Sequence, residues 1–291
     1  MAPPFAAPLG VVVLIDGVVT EEPRVSVFDR GFLFGDAVFE ALRTYEGKPF
    51  ALDQHLDRLA QSMALLGIEG SFPTLADEVR VGVACSRQVH ADDVYARIIV
   101  TRGVGPLHLD PTPARTPCRI VICAPLLPLP ASLASGVAMA SVHAHRAADA
   151  THAAAAKVTA YVGNLLAYAE AKRRGAYEAL LTTESGQVLE GHSSSFFVVK
   201  AGEVLTPPLS SGILPGITRS LVVELAREEG VPVRETILFP RDVYGADEAF
   251  LTSSLREVVP VVTVDGVRVG SGEPGPITLR LRAKYRERVR R

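Results

Sequence analysis

The stretch "HAAAAKVTAYVGN", residues 152 to 164, sets a lysine after four alanines and follows it with a tyrosine, a glycine and an asparagine. Lys157 has two readings. On a helix surface it is a solvated charge on a flexible stem, as most lysines are. In a pocket its amine is a nucleophile that can condense with an aldehyde. Only five of the 30 basic residues are lysines (Lys48, Lys157, Lys172, Lys200 and Lys284), so a lysine here carries more weight than it would in a lysine-rich chain. The residues after it predict a helix from about Val158 to Arg174, stopped by Gly175.

Outward from that point the chain reads as two halves that both mix helices with strands, which makes the class α/β or α+β. In the first half, "VVVLIDGVV" predicts a hairpin around Asp16-Gly17, and "RVSVFDRG" and "DAVFEALRTYEG" predict further strands. Leu52, Leu56, Leu59, Met63 and Leu66 recur at helical spacing up to Gly67, and a second helix is expected over Leu75 to Val89. "VYARIIVT" and "RIVICA" predict buried strands. "APLLPLPASLASG", residues 124 to 136, carries three prolines and small residues and predicts a connector. The expected organisation is therefore a first domain over 1–123, the connector, and a second domain over 137–291. Strands are expected in the second at "VAMASV", "YEALLTT" and "SSFFVVK". A helix over Ile217 to Glu229, three more strands and a C-terminal helix from about Pro276 complete it.

Composition fits this picture. The 291 residues are 48% hydrophobic and 21% charged, enough apolar material for a real core. The net charge of -2 favours neither nucleic acid nor a membrane surface as partner. The apolar runs are short and broken by proline, so none spans a bilayer, and "MAPPFAAPLG" lacks the features of a signal peptide. Three cysteines, Cys85, Cys118 and Cys123, form no metal-ligand spacing and point to a reducing cytoplasm. Cys118 and Cys123 read as core thiols. His143 and His145 lie two apart, but no third ligand accompanies them, and they read as structural, so no metal is expected. The basic tail "RLRAKYRERVRR" reads as a solvated helix face.

Several side chains could serve an anion and a heterocycle. Arg58 in "HLDRL" is a solvated arginine or a guanidinium fork for phosphate. "SGILPGITRS" starts a helix after Pro215-Gly216, where the N–H groups of Ile217 and Thr218 and the Thr218 hydroxyl can hold an anion. Thr252, Ser253 and Ser254 add hydroxyls at a strand end. Glu190 in "GQVLEGHSSSFF" is expected between a turn and a strand, either on the surface or as a carboxylate partner for a protonated ring nitrogen. An amine, an acid and a phosphate cradle are the parts that pyridoxal phosphate needs.

With these residues in this order the sequence resembles the fold-type IV pyridoxal-phosphate enzymes, a family that includes branched-chain and D-amino acid aminotransferases, R-selective amine transaminases and aminodeoxychorismate lyase. The matching stretches include "DRGFLFGDAVFEALRTYEGKPFALDQHLDRL", "KVTAYVGNLLAYAEAKRRGAYEALL", "GQVLEGHSSSFFVV", "TPPLSSGILPGITR" and "DEAFLTSSLREVVPV", within residues 10 to 285. The resemblance implies a small α/β domain, a linker and a larger pseudo-barrel domain, in a homodimer with its active site near the interface. It implies that Lys157 is the Schiff-base lysine, that Arg58, Ile217, Thr218 and Ser254 hold the phosphate, and that Glu190 partners the pyridine nitrogen. Tyr161, four residues after Lys157 and so one helical turn on, is expected at the cofactor's phenolic oxygen.

The substrate residues implied are Phe34, Phe39, Tyr95, Arg97, Leu107 and Leu255. Tyr95 and Arg97 resemble the Y-x-R with which branched-chain enzymes meet substrate carboxylates. The R-x-H of D-amino acid enzymes is replaced by Leu107-His108-Leu109. Against this, a tyrosine four residues after the lysine is commoner in the D-amino acid, amine and lyase branches, and Ser195 stands where asparagine is usual, beside an unusual His192. The resulting expectation is transamination between an amino acid with an apolar, branched-chain-like side chain and a 2-oxo acid. The alternatives are a D-amino acid or R-amine transaminase, aminodeoxychorismate lyase, and a cofactor-holding regulatory protein without turnover.

Overall fold

A computed structural model describes residues 7–89, 93–143 and 155–290. His145 lies outside the described residues. By the density of its internal contacts the chain divides into two compact units. The first takes Met1–Leu127 together with Ala156–Ala160, and the second takes Pro128–Ala155 and Tyr161–Arg291.

The first unit runs β1 (Val12–Ile15), β2 (Val18–Thr20), α1 (Arg30–Phe34), β3 (Ala37–Tyr45), β4 (Lys48–Pro49), α2 (Leu52–Leu66), α3 (Leu75–Val89), β5 (Val94–Thr101) and β6 (Cys118–Pro125). Its six strands pair antiparallel in the order β2-β1-β6-β5-β3-β4. Asp16 and Gly17 turn the β1–β2 hairpin with positive φ at both positions, 50° and 85°, as a two-residue turn requires. Strand β5 alternates strictly. Val94, Ala96, Ile98 and Val100 enter the core beside α2 and α3, while Tyr95, Arg97 and Ile99 share the other face.

One expected strand is absent. "RVSVFDRG" ends in α1 instead, because the Asp29 carboxylate accepts the N–H of Gly31 at 2.7 Å and caps the helix.

The second unit runs β7 (Val137–His143), α4 (Val162–Arg173), β8 (Glu178–Thr182), β9 (Val188–Gly191), β10 (Ser195–Lys200), β11 (Glu203–Thr206), α5 (Ile217–Glu228), β12 (Val233–Glu235), α6 (Pro240–Tyr244), β13 (Glu248–Ser253), β14 (Glu257–Val264), β15 (Val267–Arg268) and α7 (Pro276–Arg288). The sheet order is β12-β11-β10-β13-β14-β7-β8-β9, with β15 on β14. Strand β9, at one end of that order, feeds directly into β10 near the other end through a turn closed by Gly191 N–H on Ser194 O at 2.7 Å. The sheet is therefore strongly curled, and its interior is filled by Met139, Leu180, Phe196, Val198 and Leu251.

Helix α4 starts four residues later than its pattern suggests. Val158 is spent on a bridge to Val38, and Tyr161 is the residue before the first helical turn. β-Branched Val158 and Thr159 suit that extended stretch better than a helix start. The basic C-terminal helix is ion-paired as well as solvated. Lys284 meets Glu229 at 3.3 Å, and Arg288 meets Glu224 at 3.0 Å and Glu228 at 2.6 Å. Cys123 is a core thiol, but Cys118 is only half-buried.

Candidate active site

In the first unit, residues 157–159 lie along the edge of β3. Phe39 donates its N–H to Lys157 O at 2.9 Å, Thr159 N–H reaches Ala37 O at 2.9 Å, and Lys157 N–H reaches Ser62 Oγ at 3.1 Å. Lys157 is thus held in an extended segment and not on a helix surface. Its side chain is half-buried, with Nζ 4.5 Å from the centroid of the Phe39 ring. Arg97 places its guanidinium carbon 4.0 Å from the same centroid. The register explains this: Phe39 faces Ile99 and Arg97 faces Ala41, so Phe39 and Arg97 are diagonal neighbours on one face. Tyr95 shares that face, half-buried.

On the opposite face of β3, Glu40 points into the core with no exposed surface. A buried carboxylate needs partners, and α2 supplies them. Arg58 donates Nε to Oε1 and Nη2 to Oε2, both at 2.7 Å, and His55 Nδ1 lies 2.7 Å from Oε2. Burial by itself would raise the Glu40 pKa, but the hydrogen bonds and charge of Arg58, with His55, outweigh it and hold the carboxyl at about 2. Burial pushes the His55 pKa down, and the charges of Arg58 and Lys157 add to this against the pull of Glu40, so His55 is held toward its neutral form. His55, Arg58 and Ser62 make one buried stripe on α2. Arg58 is therefore not a solvated arginine.

Phe34 and Leu107 are exposed. Phe34 ends α1 at the surface beneath the Arg30 guanidinium, 4.7 Å from its ring centroid. Leu107 is 69% exposed. The loop that follows it is tied down by Arg30, which donates to the carbonyls of His108 at 2.9 Å and Leu109 at 3.0 Å.

In the second unit Glu190 lies within β9, one residue before its end, and not between a turn and a strand as expected. It is 7% exposed, and Oε2 accepts the N–H of Leu214 at 3.2 Å. Helix α5 begins at Ile217 with Gly216 as its cap residue and no side-chain cap for its first N–H groups. A Cβ on Gly216 would stand 2.7 Å from Ser195 Oγ. Ser195 pairs with Thr252 across β10 and β13. Thr218 is buried, and Thr252 Oγ1 is buried with no hydrogen-bond partner among the described residues. Ser254 and Leu255 follow in the half-buried turn after β13. An uncapped helix start and a buried, unsatisfied hydroxyl fit an oxyanion such as phosphate, and Gly216 lets the helix start pack directly against Ser195. A buried carboxylate nearby in sequence fits a protonated ring nitrogen. Tyr161 is half-buried at the start of α4. Because the segment from Lys157 is extended, the helical-turn spacing expected between these two residues is absent.

Sequence reading overlooked Glu40, His55 and Ser62. A lone acid within the apolar run "AVFEAL" was the available signal, since a charge on the inward face of a strand implies a buried partner. It overlooked equally Glu178 and Arg256. Glu178 is fully buried on β8 and bonded to Arg256 from the turn after β13. Burial would raise its pKa, but the charges of Arg256 and His192 outweigh this and lower it.

The first unit thus carries a lysine set in an extended segment and an arginine held by a buried acid, and the second an uncapped helix start beside an unsatisfied hydroxyl. The chain belongs to the amino-transferase class IV family, whose model matches residues 37–264. It is 38% identical over 268 residues to a putative branched-chain-amino-acid aminotransferase of Methanocaldococcus jannaschii, covering 92% of each chain. It is 33% identical over 270 residues to a D-alanine aminotransferase of Bacillus licheniformis, covering 91% of this chain and 93% of that one. Its fold matches the crystal structure of a T.th. branched-chain amino acid aminotransferase with pyridoxamine 5'-phosphate. The TM-score is 0.87 at 30% identity, over 96% of this chain and 93% of that one.

Proposed function

We propose that the protein is a pyridoxal-phosphate-dependent aminotransferase that moves nitrogen between an amino acid with an apolar, branched-chain-like side chain and a 2-oxo acid. The observation that carries the reading is the pairing of Lys157 and Arg97 over one aromatic ring. An amine for the chemistry and a guanidinium for a carboxylate stand on the same face of β3 and β5. Family membership supports the reaction, and the similarity to branched-chain enzymes supports the substrate class. The replacement of R-x-H by Leu107-His108-Leu109 argues against the D-amino acid alternative, since no arginine stands there to take a carboxylate.

Bound pyridoxal phosphate supplies an aldehyde carbon for the substrate nitrogen and a ring that accepts electrons. Lys157 Nζ would hold that carbon until a substrate amine replaces it, and then carry the proton from the substrate Cα. Glu190 would keep a proton on the ring nitrogen. Arg58, the N–H groups of Ile217 and Thr218 and the Ser254 hydroxyl would hold the phosphate, and Tyr161 the phenolic oxygen. Phe39 and Leu255 would wall the substrate side chain, with Phe34 and Leu107 at its margin, while Tyr95 and Arg97 orient carboxylates. A homodimer is supported by exposed apolar side chains on the first unit, Phe28, Phe32, Leu107 and Leu109. A reducing cytoplasm is supported by three free thiols.

The test is borohydride reduction of the cofactor-loaded protein followed by peptide mapping, with a panel of L- and D-amino acids mixed in single turnover. The expected results are a label on Lys157 and conversion to the pyridoxamine form by L-branched-chain amino acids. A label on another lysine overturns the site, and conversion by D-amino acids alone overturns the substrate.

A further inference from the structure

The turn after Glu190 and the turn containing Ser254 are neighbours at one end of the second unit's sheet. Ser195, which starts β10, lies opposite Thr252 near the end of β13, so residues 191–194 and 253–256 emerge side by side. One side chain bridges them. Arg256 closes its own turn by donating its N–H to Ser253 Oγ at 3.3 Å and Nε to the same oxygen at 3.1 Å. Its Nη2 crosses to the other turn, donating to Ser193 O and Ser193 Oγ, both at 3.0 Å. Its Nη1 bonds to Glu178 Oε2.

Glu178 in turn organises the turn after Glu190. Its Oε1 accepts Ser194 Oγ at 2.7 Å and Ser193 N–H at 3.2 Å. Gly191 is what lets the turn close over it: a Cβ there would lie 2.5 Å from Glu178 Oε1 and 2.1 Å from Ser194 Oγ. The arrangement is thus a carboxylate under one turn, an arginine from the second, and a planar fork that satisfies both.

A buried ion pair is a poor way to gain stability, because apolar residues of the same size do as well or better. What such a pair supplies is geometry. We propose that Arg256, locked on Glu178, is the positioning residue that holds the Ser254 turn and the turn after Glu190 as one body, and so fixes the phosphate-side hydroxyl relative to the ring-side carboxylate. The inference rests on the cofactor reading above, and it assigns to Arg256 no contact with substrate. The clamp works through two residues that adjoin the phosphate-side hydroxyl and the ring-side carboxylate: Arg256 stands two positions after Ser254, and Gly191 directly follows Glu190.

The test compares three variants with wild type: Arg256→Met, Arg256→Lys and the double variant Glu178→Gln/Arg256→Met, which leaves no buried charge unpaired. The dissociation constant for pyridoxal phosphate and the visible absorption of the bound cofactor are read alongside thermal unfolding. The double variant is expected to fold with a midpoint near wild type. It should bind the cofactor roughly tenfold more weakly, as the loss of a supporting shell typically does, with a shifted absorption band. Arg256→Lys keeps the charge on Glu178 but cannot reach both turns, and it should weaken binding by a smaller factor. If the double variant does not fold, Arg256→Lys decides. Folded variants that match wild type in affinity and spectrum overturn the proposal. A wild-type protein that takes up no pyridoxal phosphate overturns the functional reading instead, so the two failures are distinct.

Discussion

Replacing Glu40 by glutamine removes the charge that Arg58 and His55 share, with almost no change in volume. Glutamine offers one acceptor oxygen where the carboxylate offers two, and its amide would confront a donor from Arg58 or His55. A carboxyl moved from its ordinary 4.5 to about 2 corresponds to about 3 kcal/mol of preference for the charged form in the fold. Breaking one side of a buried ion pair independently costs about 3–5 kcal/mol. Glu40→Gln is therefore expected to lower the unfolding free energy of the cofactor-free protein by about 3 kcal/mol at pH 7. The chain has no tryptophan, so far-UV circular dichroism in a urea series is the suitable probe. The effect must also depend on pH in one direction. Because the folded-state pKa lies below the unfolded one, the stabilisation is complete above about 4.5 and is lost as the pH falls through that value toward 2. The gap between wild type and variant should shrink over that window and stay constant from about pH 6 to 8. A variant as stable as wild type at pH 7, or a gap that widens in acid, would refute the electrostatic account of this triad.

Arg58→Ala should weaken cofactor retention by roughly 2–5 kcal/mol, the usual cost of removing one partner of a buried charged pair. Dialysis should then strip the cofactor, and an unchanged affinity would remove Arg58 from the phosphate site. Arg97→Leu should raise KM for 2-oxo acids while leaving cofactor uptake intact. Its loss in kcat/KM should be larger on an amino acid than on a matched amine without a carboxylate; equal losses on both would reduce Arg97 to a structural role.

The sequence was most informative where periodicity was strong and partners were local. The Leu75–Val89 helix, the alternating β5 and the hairpin at Asp16-Gly17 follow from spacing alone, because side-chain period and turn chemistry are properties of neighbours in the chain. Candidate site residues stood out where a motif held several of them together, as at the start of α5. What could not be read was tertiary pairing. Val158 and Thr159 extend a helical pattern on paper, yet an open strand edge claims them for β3. "VSVF" alternates like a strand, yet the Asp29 cap starts a helix. Glu40, Glu178 and Arg256 looked like ordinary charges, because their partners lie 15, 78 and 78 positions away in sequence. A carboxylate announces that it needs a partner, but spacing does not say which residue answers.

Residue 157 has a position written in main-chain hydrogen bonds. Its carbonyl is fixed by Phe39, its N–H by Ser62, and its second neighbour by Ala37. None of these bonds reads the side chain. The backbone therefore acts as a mount whose fitting can be exchanged. A thiol, an imidazole or an unnatural amine installed at 157 by substitution would start from the same backbone point beside Phe39, and the length of its side chain would set how far it reaches. That makes this position a place to graft new chemistry, and it separates the question of where a nucleophile stands from the question of what it is.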